Sequence, residues 1–255
     1  GNNAFYGCTN LNGLNISSNV TSIGANAFYN CTSISTIVLP DSISSLDSTA
    51  FTGCSNIKSV SLSSMFISLI PKANLQEIII TSGQSIPERA FYNCSQLTKV
   101  VLPKSITDIG NNAFYGCTSL SYLEWNANEC ISAGSKTYPI FANCSNLSTI
   151  MFGNDVTTIP AYAFYGCNAI SSLKIPKNVI NIGTDAFAGC ANLANIEVES
   201  QNNVYAAIDN CLVDKSNKRI ILGCKNSIIP SNGSVTSISD NAFDGCIGLK
   251  NITIP

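Results

Sequence analysis

The sequence predicts a solenoid of α/β type, built from stacked repeats, and three features of the chain carry that expectation. Phe5, Phe28, Phe51, Phe91, Phe114, Phe141, Phe164, Phe187 and Phe243 each stand three residues before a cysteine. Five of the eight gaps between them are 23 residues long, and a fixed period of roughly 20–50 residues marks a stacked-repeat fold. Each repeat also holds a short apolar alternation of the kind that strands show. Finally, only glycine or asparagine precedes those nine cysteines, at Gly7, Asn30, Gly53, Asn93, Gly116, Asn143, Gly166, Gly189 and Gly245.

The unit from Leu97 to Ser119 shows each element in turn. LTKVVLP places Leu97, Val100 and Leu102 in the L-x-x-L-x-L pattern of a leucine-rich-repeat strand. These three face the core, while Lys99, Val101 and Pro103 point the opposite way by period-two alternation. Ile106 and Ile109 form a second short extended segment on the far wall. NNAFYGC then turns Ala113, Phe114 and Cys117 inward. Glycine and asparagine tolerate a left-handed backbone best, so the residue before each cysteine reads as the cap of a single-turn helix. Pro87 and Pro160 suit the first position of that turn.

Core-strand starts at Leu11, Ile34, Ile57, Leu75, Leu97, Leu120, Leu147, Ile170, Leu193, Ile220 and Leu249 predict about 11 coils of ~23 residues. The whole chain, 1–255, reads as one leucine-rich-repeat solenoid with a parallel strand face, and single-turn helices and extended segments on the other walls. Irregular units are expected near 57–75, 120–147 and 199–235. The first lacks the AFxxC turn. The second carries its excess in NANECISAGSKTYP, which is expected to overhang the strand face. The third contains CLVDKSNKRIILGC, a β-hairpin turning at Ser216–Asn217–Lys218. The chain opens and closes within repeats, so it is expected to be a fragment of a longer protein.

Composition excludes several functions. Charged residues make up 11% and the net charge is −2, which gives no basic face for nucleic acid. No apolar run approaches the ~20 residues of a membrane span. Histidine is absent, which removes the commonest general base and metal ligand together. No G-x-S-x-G stretch accompanies the many serines. Glu197 and Glu199 could pair as acid and base, but two carboxylates on an exposed strand face read first as a solvated surface. No catalytic residue, metal site or cofactor is expected.

The register L-x-x-I-x-(I/L)-P, V/I-x-x-I-G, A-F-x-x-C resembles the BspA-like leucine-rich repeats of bacterial surface antigens. LTKVVLPKSITDIGNNAFYGC at 97–117 and ISSLKIPKNVINIGTDAFAGC at 170–190 carry the likeness. The resemblance implies display at the cell surface or secretion, and binding of a protein, matrix or glycan ligand on a host or neighbouring cell. It brings no catalytic motif.

The twelve cysteines read mainly as buried reduced thiols stacked in the AFxxC slot. Cys211 and Cys224 stand nearly opposite one another across the hairpin, where a disulfide is geometrically plausible. Cys130, inside the insertion, reads as a free surface thiol. Trp125 falls at a core-facing position. The outward strand-face residues form the ligand-binding candidates, in columns that run on to Asn251 and Thr253. Their richest part is Glu77, Ile79, Lys99, Val101, Tyr122, Glu124 and Met151, an aromatic side chain among mixed charge and apolar area. A non-catalytic, adhesin-like binding module follows; the alternatives are a structural spacer displaying other domains and a glycan-binding module, for which Tyr122 is the one aromatic platform in view.

Overall fold

The fold is known from a computed structural model that describes residues 1–250 and 252–254; Asn251 lies outside the described residues. The chain winds as a solenoid with three walls around a long apolar interior, and a second, smaller apolar cluster of Cys211, Val213, Ile220, Ile229 and Ala242 lies at the hairpin.

The first wall is the parallel strand face. Thr36–Val38, Ser59–Leu62, Glu77–Ile80, Lys99–Leu102, Tyr122–Trp125 and Thr149–Phe152 form a six-stranded sheet in that spatial order. Ser172–Ile175 and Asn195–Val198 pair beside it, also in parallel. Alternate side chains turn inward, as the buried Val100 and Leu102 show. Eight strands make this wall, fewer than the eleven starts in the sequence. The segments after Leu11 and Leu249 carry no strand among the described residues. Ile220 belongs instead to Arg219–Leu222, which pairs antiparallel with Cys211–Asp214 and parallel with Ser237–Ile238. Its apolar alternation is that of a strand, but its partners lie on the hairpin and the second wall.

The second wall consists of two-residue strands, including Ser85–Ile86, Asp108–Ile109 and Ser132–Ala133 in one parallel sheet. Ser132–Ala133 lies within the 126–138 insertion, so this excess runs along the second wall and does not overhang the strand face. Ala127, Cys130 and Ala133 are all buried there, and burying that apolar row holds the insertion down. The glycine that closes this wall has a packing cause. A Cβ on Gly110 would sit 2.4 Å from the backbone nitrogen of Glu88, and one on Gly183 would sit 2.2 Å from that of Ala161.

The third wall is a run of turns and not a helix. All nine glycines and asparagines before the cysteines adopt positive φ, as expected. A second left-handed residue precedes most of the phenylalanines by two positions, for example Asn112 at φ 54° and Asp185 at φ 54°. Two such residues per turn forbid a continuous helix. The amides divide between two directions instead. Tyr115 N and Cys117 N donate within the coil to Asn112 O and Phe114 O, while Phe114 N and Gly116 N donate to Ile140 O and Ala142 O of the next coil. The only helix among the described residues is the 3₁₀ segment Ser64–Leu69, which replaces the missing AFxxC turn and buries Phe66 and Ile67.

Inside this wall the phenylalanine rings stack one per coil. Centroids lie 5.2 Å apart for Phe5–Phe28 and Phe28–Phe51, and 5.1 Å for Phe91–Phe114. The series continues through Phe141 and Phe164 to Phe187. Lys72 lies over the free face of the Phe91 ring at 5.8 Å, where the irregular coil supplies no ring.

The cysteine slot has its own bond. Cys54 Sγ donates to Phe28 O at 3.1 Å, Cys117 Sγ to Phe91 O at 3.2 Å, and Cys190 Sγ to Phe164 O at 3.3 Å. At the hairpin coil, Cys246 Sγ donates to Gly223 O, so Gly223 occupies the phenylalanine place in a turn cut short.

Candidate functional site

The strand register brings the seven candidate residues together. Glu77, Lys99, Tyr122 and Thr149 are successive Cα partners across four strands. Ile79, Val101, Glu124 and Met151 form the neighbouring column. Parallel strands lie about 4.8 Å apart, so each column spans about 15 Å. Met151 is 51% exposed, and the other six are half-buried by their neighbours across the sheet.

Much of the charge in this patch is already committed. Lys99 Nζ stands 2.7 Å from Glu77 Oε1, and Ser59 Oγ donates to Glu77 Oε2 at 3.3 Å. The bond to Lys99 holds the Glu77 carboxyl below the usual range, and the same bond raises Lys99. Glu124 accepts from Asn126 Nδ2 at 2.9 Å. The surface therefore offers Tyr122, an apolar strip of Ile79, Val101 and Met151, and a pre-oriented ion pair. It has no activated nucleophile. A strand face of this kind can recognise a complementary surface.

The other candidates fall into place. Glu197 accepts from Asn195 Nδ2 at 2.8 Å. Glu199 is held separately, by Lys174 at 3.2 Å and by the Lys177 amide at 3.0 Å, which together push its carboxyl down. The two do not share a proton path. Trp125 is fully buried against the Phe164 ring, its centroid 5.3 Å away, and its indole nitrogen has no hydrogen-bond partner. Cys130 is fully buried, contrary to the expected surface thiol; its Sγ donates to Ser132 O at 3.3 Å, and burial pushes its thiol up to about 12. Cys211 and Cys224 are buried free thiols near the hairpin base. Cys211 Sγ donates to Ile228 O, and Cys224 Sγ to Asn210 O, each at 3.5 Å. No group of three or more Cys, Asp and Glu could hold a metal ion among the described residues.

One feature escaped the sequence reading. The residue after most ladder phenylalanines lies at the surface, and two pairs of tyrosines at this position stack on the turn wall. Tyr92 and Tyr115 lie 4.8 Å apart with 6° between ring planes, and the Arg89 guanidinium covers Tyr92 at 5.5 Å. Tyr6 and Tyr29 repeat the arrangement at 5.0 Å. The signal was the Y of AFYGC itself, one position from an inward phenylalanine.

A solenoid with a parallel strand face and buried L-x-x-L-x-L positions defines a leucine-rich-repeat protein. The sequence profile described as BspA type Leucine rich repeat region (6 copies) matches residues 1–73, 71–193, 137–232 and 220–255. The chain belongs to that family. Among solved structures it is similar to a leucine rich cell surface protein from Faecalibacterium prausnitzii, with 27% identity over 92% of this chain and a TM-score of 0.53. It also shares its fold with a leucine-rich repeat protein from Eubacterium ventriosum, at 23% identity over 76% of this chain and a TM-score of 0.51. The chain spans 65% of the first of these proteins and 53% of the second. No curated protein sequence matches it. No helix among the described residues is long and apolar enough to cross a membrane.

Proposed function

We propose that the chain is a non-catalytic binding module, displayed at the cell surface or secreted, whose strand face engages a protein or matrix ligand. The observation that carries this reading is the register that sets Tyr122 beside Lys99, and Glu124 beside Val101 and Met151, on one rigid sheet. Aromatic anchors amid polar neighbours are the usual centres of protein recognition. The likeness to a cell surface protein from Faecalibacterium prausnitzii agrees with an extracellular role. The test is a Tyr122→Ala, Lys99→Glu double variant, probed against an array of extracellular-matrix proteins. It loses partner binding while keeping the thermal midpoint within a few degrees. Unchanged binding removes this patch from the account.

A glycan-binding reading has its own support in the stacked Tyr92–Tyr115 pair, whose phenol hydroxyls, with the Arg89 guanidinium beside them, can hydrogen-bond sugar hydroxyls. A Tyr92→Ala, Tyr115→Ala variant that loses signal on a glycan array, with matrix binding intact, would favour this second surface.

A further inference from the structure

A cleft of about 330 Å³ opens where the hairpin coil cuts its turn short at Gly223. Phe187, Leu212 and Leu222 lie along its apolar part, and Asp185, Arg219 and Asp240 along its polar part. Its backbone carries a further mark. In regular turns, the amide of the ladder phenylalanine and that of the residue two before it donate to the next coil. Tyr162 N donates to Thr184 O at 3.2 Å and Phe164 N to Ala186 O at 2.8 Å; Asn112 N and Phe114 N do the same to Tyr138 O and Ile140 O. The corresponding amides of Asp185 and Phe187 have no acceptor among the described residues, and only Gly189 N reaches across, to Asp244 O at 3.1 Å. Phe51 N and Phe141 N also lack this bond, but a coil stacks on each of them. At Asp185 and Phe187 the place of the missing turn is the cleft.

We propose that this cleft binds a short extended peptide segment of a partner protein, which completes the interrupted wall. Two unpaired amides two residues apart call for acceptor oxygens at the spacing of a backbone, because backbone carbonyls take the equivalent amides of Asn112 and Phe114 and of Tyr162 and Phe164. An anionic ligand fits poorly, since two carboxylates line the cleft against one guanidinium. The Asp185 carboxylate is itself occupied, taking Asn241 Nδ2 on both oxygens at 3.1 Å with Lys136 Nζ at 3.9 Å. Arg219 and Asp240 form no ion pair among the described residues, leaving one charge of each sign for a neutral amide chain. An apolar side chain of the peptide lies against Ile182, Ile221 and Ile238, which line the cleft and keep exposed area. This site is separate from the strand face, and its failure would leave that reading standing.

The test uses the ¹⁵N-labelled chain and the blocked tripeptide acetyl-Gly-Phe-Gly-amide as probe. In the free protein, the amides of Asp185 and Phe187 exchange with solvent about tenfold or more faster than those of Tyr162 and Phe164. Millimolar peptide shifts their resonances and slows their exchange. Thr184→Trp, an exposed substitution in the cleft lining, abolishes the shift without lowering the thermal midpoint. Three results would overturn the proposal: equal protection of all four amides in the free protein, no response to the peptide, or an equal response to acetate or to a chito-oligosaccharide.

Discussion

Cys54 donates its thiol hydrogen to the Phe28 carbonyl one coil back, at 3.1 Å, and that carbonyl also takes the Cys31 amide at 3.1 Å. The cysteine is thus both a small buried hydrophobe and the second donor to a carbonyl that stacking would otherwise leave half-satisfied. Cys54→Ala removes both contributions and is expected to cost about 1–2 kcal/mol. The urea midpoint reads this loss. Cys8→Ala, at an exposed thiol on the end coil, should leave the midpoint unchanged.

The same burial makes the fold sensitive to alkali. Desolvation raises the thiol of Cys54 to about 11, and those of Cys94, Cys130 and Cys190 to about 12, from an ordinary value of 9.0. Below pH 9 these groups are protonated whether the chain is folded or not, so their contribution is fully present. Above pH 9 the unfolded chain loses protons first, and stability falls until the folded thiols ionise near pH 12. A urea midpoint that drops steadily across this window is the expected outcome, with a shallower drop for Cys130→Ala. A wild-type midpoint that stays flat would show that the thiols are not buried.

The glycines divide into two mechanical classes. Gly166 has φ +72° and open space around its missing Cβ, so Gly166→Ala tests backbone strain alone and should cost about 1–2 kcal/mol. Gly110 has no left-handed φ, but its Cβ would press on the Glu88 backbone, so Gly110→Ala should cost about 3 kcal/mol through displaced coils. Asn93→Gly keeps the left-handed turn and should lie within about 0.5 kcal/mol of wild type. Chemical denaturation of the three variants separates strain from clash.

The period exposed most of this architecture in advance. A 23-residue repeat maps each side chain onto the one above it, so Phe114, Leu102 and Glu77 could be placed before any coordinates existed. Other features depend on pairings that the period does not encode. Asn112, Arg89 and Tyr162 all adopt left-handed φ at one position, and their mixed identities hid the second bend that excludes a helix. Ile220 alternates like a strand-face residue, and only its partner Ile238 reveals the other wall. Cys130 read as exposed because it sits in an insertion, although Ala127 and Ala133 flank it at a spacing of three. The register sets the seven strand-face residues side by side, but the Lys99–Glu77 bond depends on rotamers that no column of letters displays.

A double-mutant cycle on Phe28 and Phe51, whose rings lie 5.2 Å apart at 5°, tests most directly whether successive coils share one interior. Phe28→Leu and Phe51→Leu keep apolar volume while removing the stack, and the account predicts a coupling of about 0.5–1.5 kcal/mol between them. The pair Phe28 and Phe114, separated by the irregular coil whose Phe66 does not join the stack, should show none. Additive effects for the adjacent pair would mean that each coil packs alone, and would contradict the fold on which every surface described above depends.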